Sequence, residues 1–391
     1  MNKTTLTTNW NYPTRIRVGA GRVNELSDLC HELGIKAPLI ITDPGLAGSL
    51  LIGRLVHLCQ QAELQVGIFS QIQANPTERN VLEGVHAYQL GLHDGVIACG
   101  GGSSLDVAKT VALMVGQELP LWEFEDIGSN WQKVRVETMA PVIAIPTTAG
   151  TGSEVGRAAV ITDTAQQVKK IIFHPNMLPK LVILDPELTC SLPPKLTAAT
   201  GMDALSHCLE AYCAPAYHPM AEAIALEGIR LIKENLIAAY NDGANIEART
   251  HMLVASGMGA TAFQRGLGAM HALAHPLGAL YDAHHGRLNA ILMPYVLLAN
   301  RAAIEEKIIR LATYLTISNG FDGFMDWILQ LRMELGIESC LAHIGINQEH
   351  VDKIAKMATE DAASGSNPIL FTQEEYKNIL IAAIGDSQYP R

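Results

Sequence analysis

Long apolar runs are missing from this chain of 391 residues. A membrane-spanning helix needs about 20 consecutive apolar residues, and no stretch of the sequence approaches that length. The first residues, Met1-Asn2-Lys3-Thr4-Thr5, lead into polar sequence rather than into the apolar core of a signal peptide. The sequence therefore predicts a cytoplasmic protein that has no membrane partner.

Positive charge and aromatic side chains are also scarce. The chain has 28 Lys and Arg against 39 Asp and Glu, which gives a formal net charge of −11, and only 5% of its residues are aromatic. An acidic surface repels phosphates, and few rings are available for bases to stack on. We therefore expect no nucleic-acid partner.

Paired cysteines are a third absence. The seven cysteines are spread over the chain, and no C-x-x-C pair indicates a structural zinc or a redox dithiol, so we expect reduced thiols. With 48% apolar and 17% charged residues, the composition is that of a globular protein, and the length fits two or three domains.

The first half of the chain alternates short β-branched runs with amphipathic stretches. This order predicts a parallel sheet with helices on both faces. The predicted strands are 14–18, 38–43, 64–69, 95–99, 141–146 and 181–185, and the clearest predicted helices are 43–62 and 77–92.

From Leu188 onward, Ala, Leu, Met, Glu and Ile recur at helical spacing and β-branched runs almost disappear. Asp185-Pro186 and Pro193-Pro194 interrupt the chain at this change. The sequence predicts an α/β domain over residues 1–187 and an all-α domain over residues 188–391.

Three consecutive glycines lie between a predicted strand and a predicted helix, in Cys99-Gly100-Gly101-Gly102-Ser103. Glycine backbone can approach a phosphate closely, and the N–H groups at a helix start favour an anion. The loop matches neither G-x-G-x-x-G nor a Walker motif, so tight packing between strand and helix explains it equally well.

A second loop of small and hydroxyl residues follows the predicted strand at 141–146 and includes Thr147 and Thr148. Ligands of doubly wound sheets bind at the carboxyl ends of the strands, so two such loops favour a dinucleotide. Asp43 ends another strand, where its carboxylate could accept hydrogen bonds from a ribose. A helix cap is the alternative role for Asp43.

Histidine and aspartate cluster in the predicted helical half. Asp203 and His207 are four residues apart, His271 and His275 repeat that spacing, and His285 follows His284 directly. Imidazole and carboxylate donors together suit a divalent ion such as Fe²⁺ or Zn²⁺. Any one histidine could instead cap a helix or pack in a core, but so many polar groups in apolar surroundings need a partner.

Several motifs together resemble the iron-containing alcohol dehydrogenase family. They are Gly-Gly-Gly-Ser-x-x-Asp-x-Ala-Lys at 100–109, Pro-Thr-Thr-Ala-Gly-Thr-Gly-Ser-Glu at 146–154, Asp-Pro-Glu-Leu-Thr at 185–189, Gly-Met-Asp-Ala-Leu-x-His at 201–207, Gly-Leu-Gly at 266–268, His-Ala-Leu-Ala-His-Pro-Leu-Gly at 271–278 and His-Gly at 285–286. The resemblance covers nearly the whole chain.

The resemblance implies a dehydroquinate synthase-like fold with a nucleotide-binding N-terminal domain, a helical metal-binding and catalytic domain, and an active site in the cleft between them. It implies metal ligands at Asp203, His207, His271 and His285. The implied cofactor contacts are Asp43, Gly100, Gly101, Gly102, Ser103, Asp106, Thr147 and Thr148. His275 matches a family histidine close to the metal and the nicotinamide, so we expect it to relay a proton or to support His271.

This family match implies hydride transfer between a primary alcohol or aldehyde and NAD(H), at one divalent ion, Fe²⁺ in preference to Zn²⁺, in a homodimer. A dehydroquinate synthase-like lyase would share the fold but would need more Lys and Arg near residues 250–290. A non-catalytic NAD- or metal-binding module would more naturally have lost one of the four ligands.

Two departures from the family pattern concern the substrate and one ligand. Gln264 and Arg265 precede the Gly-Leu-Gly motif, and a guanidinium there could bind the carboxylate of a sugar acid such as a 3-deoxyoctulosonate. The alternative is that Arg265 faces solvent or an oligomer contact. His284 stands where many relatives have proline, so an exchange of His284 for His285 as ligand stays open.

Overall fold

The computed structural model describes residues 13–166 and 168–385. The first five residues, on which the expectation of no signal peptide rests, lie outside this part of the chain. Among the helices that are described, none has the length and apolar character needed to cross a membrane. All seven cysteines fall within the described residues, and none of them forms a disulfide.

The described chain divides into two compact units. The first consists of residues 13–192 and 243–257, and the second of residues 193–242 and 258–385. The domain boundary expected after residue 187 stays a prediction. The first compact unit continues to Leu192 and also includes part of a helix from the second half of the chain.

A six-stranded parallel sheet forms the centre of the first unit, with the strand order β1-β8-β5-β4-β2-β3. Every residue of β2, β4 and β8 is buried, which explains their continuous apolar runs. The eight strands are β1 (Arg15–Val18), β2 (Pro38–Ile41), β3 (Gly67–Phe69), β4 (Gly95–Gly100), β5 (Val142–Pro146), β6 (Ala158–Asp163), β7 (Val168–Phe173) and β8 (Leu181–Leu184). The first helices are α1 (Leu26–Glu32), α2 (Leu50–Gln61), α3 (Glu78–Leu90) and α4 (Gly102–Met114).

Three features of this unit differ from the sequence prediction. The antiparallel hairpin of β6 and β7 was not predicted. The strand expected at 64–69 is limited to β3. The helix expected from Asp43 begins only at Leu50, because Ser49 caps it by accepting a hydrogen bond from the Ile52 N–H at 3.3 Å.

The second half of the chain is helical, and no strand occurs in its described residues from 193 to 385, which confirms the predicted fold class. Its helices are α5 (Pro194–Cys213), α6 (Pro219–Asn241), α7 (Ile246–Ala262), α8 (Ala269–Tyr281), α9 (His285–Tyr314), α10 (Gly320–Glu334), α11 (Val351–Glu360) and α12 (Gln373–Ile384). Helix α5 is buried at every position from Thr197 to Cys213, so it is the central helix of its unit.

Candidate metal centre and nucleotide loops

The two predicted nucleotide loops of the first unit lie side by side. Strands β4 and β5 are neighbours, with Gly100 in register with Pro146. The Thr147 N–H donates to the Gly100 carbonyl at 3.0 Å, and a Cβ on Gly101 would lie 3.6 Å from the Thr148 side chain. The structure therefore brings both loops to the carboxyl end of the sheet, where doubly wound folds bind ligands.

The glycines of the first loop are required by close packing. Gly100 has a φ of +148°, and a Cβ there would lie 2.3 Å from Asp43 Oδ2. A Cβ on Gly102 would lie 2.6 Å from the Thr151 side chain. Because α4 begins at Gly102, the free N–H groups of its first turn form a surface that can bind a phosphate.

The side chains of two predicted cofactor residues, Asp43 and Ser103, make hydrogen bonds with backbone groups of the first unit. Asp43 Oδ2 accepts from the Gly101 N–H at 3.1 Å, so its carboxylate lies at the glycine loop. Ser103 Oγ donates to the Ala74 carbonyl at 2.6 Å. Their roles in cofactor binding stay predictions.

Asp106 has a structural task in the same region. One carboxylate oxygen accepts from Ser153 Oγ at 2.5 Å, and the other accepts from the Val160 N–H at 2.9 Å. Asp106 therefore joins α4 to the second loop and to the hairpin. A contact between Asp106 and the cofactor stays a prediction.

A buried lysine and a buried glutamate lie behind these loops. Burial lowers the pKa of Lys109, against the opposing effect of Asp106, and Lys109 Nζ donates to the Ser153 carbonyl at 3.0 Å. Burial raises the pKa of Glu154 to about 7. Lys109 holds the backbone of the second loop in place through these contacts.

The predicted metal ligands lie on three helices of the second unit. We name these four residues the ligand cluster: Asp203 and His207 on α5, His271 on α8 and His285 at the start of α9. The ligand atoms of Asp203, His207 and His271 all lie within 4.8 Å of one another. His285 Nε2 lies 3.6 Å from Asp203 Oδ1. His284 is exposed and stands at the residue before α9, so His285 is the histidine that lies at the cluster.

A buried asparagine shows that acceptor lone pairs converge at this point. Asn289 Nδ2 lies 3.0 Å from Asp203 Oδ1 and 3.2 Å from Nε2 of both His271 and His285. An amide has only two hydrogens for these three acceptors, and Asn289 Oδ1 has no hydrogen-bond partner among the described residues. One carboxylate and three imidazoles with convergent lone pairs fit a divalent ion.

Carboxylates that the sequence analysis did not identify support two of the histidines. Glu210 Oε2 accepts from His271 Nδ1 at 2.6 Å, and Asp361 Oδ2 accepts from His275 Nδ1 at 2.8 Å. Burial lowers the pKa of His271, but the Glu210 carboxylate together with Asp203 and Asp361 outweighs this effect, and the pKa is raised overall. Glu210 could have been found from sequence, because it follows His207 on the same face of α5.

Phe263 and Gln264 follow each other just after the end of α7, and the first of them lies close to His207. The Phe263 ring is 5.1 Å from the imidazole, measured between centroids, and provides an apolar neighbour to the cluster. Gln264, a predicted substrate contact, donates to the Thr261 carbonyl at 2.8 Å.

Comparisons with known proteins agree with this geometry. A model described as iron-containing alcohol dehydrogenase matches residues 13–186, and its C-terminal counterpart matches residues 197–384. The chain belongs to the iron-containing alcohol dehydrogenase family.

Individual members of the family are similar over almost their whole length. The chain is 38% identical to 4-hydroxybutyrate dehydrogenase of Cupriavidus necator, with 94% of this chain and 98% of that protein covered. It is 34% identical to NAD-dependent methanol dehydrogenase of Bacillus methanolicus, with coverages of 96% and 100%. The crystal structure of a 1,3-propanediol oxidoreductase matches with a TM-score of 0.91 at 33% identity, covering 97% of this chain and all of that one. The prediction of an alcohol dehydrogenase is therefore confirmed.

The prediction that Arg265 binds a substrate carboxylate is wrong for this alcohol dehydrogenase. Its side chain is 4% exposed and pairs with Glu222 Oε2 at 2.9 Å. Nε donates to the Ala216 carbonyl at 2.6 Å, and Nη1 donates to the carbonyls of Ala211 and Tyr212 at 3.2 and 3.0 Å. The guanidinium therefore binds the carbonyls at the end of α5.

We expect Arg265→Ala to lower the free energy of unfolding by about 3–5 kcal/mol, because it leaves a partly buried carboxylate and several carbonyls without their main donor. Arg310→Ala is the matched control, since Arg310 pairs with the same Glu222 at 3.4 Å but is 71% exposed. It should cost less than about 1 kcal/mol. Urea unfolding measures both, and equal midpoints for the two variants would contradict the assignment.

Proposed function

We propose that this chain interconverts primary alcohols and aldehydes with NAD(H) at one divalent ion, iron in preference to zinc, held by the ligand cluster. The observation that carries the proposal is the convergence of the Asp203, His207 and His271 ligand atoms within 4.8 Å. The family description supports iron, and the methanol dehydrogenase named as NAD-dependent supports the cofactor.

A divalent ion at the cluster would stabilise negative charge on the substrate oxygen and so make removal of the alcohol's proton easier. The residues around the cluster have separate tasks. Asn289 and the four ligands orient one another, and Phe263 offers an apolar surface that suits the carbon chain of a substrate.

We assign the movement of the proton to His275. Its Nδ1 donates to Asp361, so Nε2 is the nitrogen that can accept and release a proton. Its side chain is 19% exposed, which gives the proton a route to water. The ring also stacks on His285 at 5.5 Å between centroids, so it lies next to the proposed metal ligands.

For the cofactor, we propose that the pyrophosphate binds at the glycine loop and the first turn of α4, with Thr147 and Thr148 on the nicotinamide side. The free N–H groups at the start of α4, at the carboxyl end of the sheet, support this position. Asp43 would then accept hydrogen bonds from the adenosine ribose and repel a 2′-phosphate.

Asp43→Asn should reduce the preference for NAD over NADP about 10- to 100-fold, because a charge repulsion at short range is removed. Asparagine keeps an oxygen for the Gly101 N–H, so the loop should stay in place. The measurement is kcat/KM for both cofactors. Asp28→Asn, which makes the same charge change at an exposed site on α1, is the control and should leave the ratio unchanged. An unchanged ratio in Asp43→Asn would remove Asp43 from this role.

We propose short unbranched primary alcohols as substrates. The relatives that support this are named for 4-hydroxybutyrate, methanol and 1,3-propanediol, each of which carries a primary hydroxyl. The sugar-acid alternative loses its main support, because the Arg265 guanidinium binds protein groups. A homodimer and a cytoplasmic location stay predictions.

A panel of alcohols with NAD tests the proposal, with NADH formation followed by absorbance. Methanol, 1-propanol, 1,3-propanediol and 4-hydroxybutyrate should be oxidised by the iron-loaded protein, and a secondary alcohol such as 2-propanol more slowly. No NADH from any alcohol, despite bound NAD and metal, would favour the non-catalytic module. Turnover of a phosphorylated sugar without net NADH formation would favour the lyase.

A further inference from the structure

Helix α5 carries another acidic side chain, Glu210, on the face that bears the proposed ligands Asp203 and His207. Glu210 follows His207 by three residues, so the three side chains share one face of the helix. The Glu210 side chain is 4% exposed. A buried carboxylate is costly unless it is hydrogen-bonded, so its partners define its task.

Glu210 accepts three hydrogen bonds from the beginning of α8. The Gly268 N–H donates to Oε2 at 2.8 Å, and the Met270 N–H donates to Oε1 at 2.7 Å. His271 Nδ1 donates to Oε2 at 2.6 Å. The two backbone bonds fix the plane of the carboxylate, and the third bond then fixes the His271 ring.

The bond to Nδ1 selects one tautomer of His271. A carboxylate is an acceptor, so Nδ1 carries the proton and Nε2 keeps its lone pair. Nε2 is the nitrogen that lies 3.2 Å from Asn289 Nδ2, at the point where the lone pairs of the cluster converge. Without Glu210, His271 could adopt the other tautomer and offer an N–H to the site.

Glu210 also affects the charge of the site. Two buried carboxylates, Asp203 and Glu210, balance a divalent ion, whereas Asp203 alone leaves an unbalanced positive charge in an apolar surrounding.

We infer that Glu210 is a positioning residue of the metal site, which holds His271 in the tautomer that offers Nε2 and supplies the second balancing charge. This inference rests on the proposed ligand cluster. It extends the site from the four ligands to a carboxylate that touches neither the ion nor the substrate.

A purely structural role for Glu210 would be to cap α8, and Asn367 separates the two roles. Asn367 Oδ1 accepts from the Ala269 N–H at 3.0 Å, so it caps the same helix start. The other hydrogen bonds recorded for its side chain in the described chain are with Asn300 and Ile369, and none is with the His271 ring. Asn367→Ala therefore removes a cap and leaves the histidine bond intact.

The experiment measures Zn²⁺ affinity of the full-length, metal-stripped protein by competition with a chromophoric chelator. Glu210→Gln should weaken binding about 10- to 100-fold, the usual effect of losing a carboxylate behind a metal-binding histidine. Asn367→Ala should leave the affinity nearly unchanged. Glu210→Asp keeps the charge but withdraws the carboxylate by one methylene, so it should also weaken binding. If Glu210→Gln does not fold, Glu210→Asp is the variant that tests the inference.

A second measurement reports the ligand geometry directly. The visible spectrum of the Co²⁺ form should change in Glu210→Gln and stay unchanged in Asn367→Ala. On a His271→Ala background, Glu210→Gln should cause a smaller further loss of affinity than it causes alone, because the part of its effect that acts through that ring is gone and only the loss of charge remains.

Unaltered affinity in both Glu210 variants, or an equal loss in Asn367→Ala, would overturn the inference. The proposed ligand cluster fails separately: it is wrong if Asp203→Ala binds Zn²⁺ as tightly as the unaltered protein. Weak binding in Asp203→Ala together with tight binding in Glu210→Gln and Glu210→Asp would leave the ligand cluster standing and refute the role of Glu210.

Discussion

Asp203→Ala should lower kcat/KM by about a thousandfold or more and strip the protein of its metal. Asp203 is the single carboxylate of the ligand cluster, and its loss removes both a ligand and the negative charge that faces the ion. A bound ion contributes several kcal/mol of transition-state stabilisation, and about 1.4 kcal/mol corresponds to each factor of ten. Metal content after dialysis and NADH formation with 1-propanol measure the two effects.

Two controls make this result specific. Asp326→Ala removes an exposed aspartate from α10 in the same compact unit, and it should leave metal content and turnover unchanged. NADH binding, followed by fluorescence, should survive in Asp203→Ala, because the glycine loop and Asp43 belong to the other unit. Wild-type turnover by Asp203→Ala after treatment with a chelator would show that the metal mechanism is wrong.

The parallel sheet could be predicted from sequence because its central strands are buried on both faces. Such strands appear as continuous β-branched runs, as in β2 and β4. The hairpin of β6 and β7 gives no such run. Only one residue of β7 is buried, and Lys169 and Lys170 interrupt its apolar sequence, so an alternating β-α order gave no reason to expect it.

The histidines of the ligand cluster could be predicted because helical spacing and residue type agree. Their supporting residues, Glu210 and Asn289, are harder to predict, since they are ordinary polar residues until three helices meet, and only their helical spacing from a ligand indicates them. Asn289 lies four residues after His285 on α9, so the two side chains share one face of that helix.

Arg265 illustrates the opposite case. A cation before a glycine-rich segment has several possible partners, and the sequence does not show that the end of α5 lies beside it. The three carbonyls that it binds become neighbours only when the helices pack. The partners of a buried cation are therefore harder to predict from local sequence than a set of metal ligands.

A glycine next to a proposed ligand is the second position where a large effect is expected. Gly286 follows His285 in the first turn of α9, and a Cβ there would lie 2.1 Å from the Ala199 carbonyl oxygen and 3.0 Å from Asp203 Cβ. The first of these atoms is backbone of α5, which cannot move aside as a flexible side chain could. Gly286 therefore lets α9 approach α5 closely enough for His285 to meet Asp203.

Gly286→Ala should push the start of α9 away from α5 and separate His285 from the other ligands. We expect kcat/KM to fall about a hundredfold, as for a misplacement of catalytic groups by about 1 Å, and stability to fall by about 1–3 kcal/mol from overpacking. Zn²⁺ affinity, turnover and urea midpoint measure the change.

Gly53→Ala in α2 is the matched control, because a Cβ there meets nothing within 4 Å. That variant should keep full activity and gain up to about 1 kcal/mol, since alanine favours helix over glycine. If Gly286→Ala keeps the metal affinity and turnover of the unaltered protein, the close approach of the two helices does not position His285, and its place among the ligands must be reconsidered.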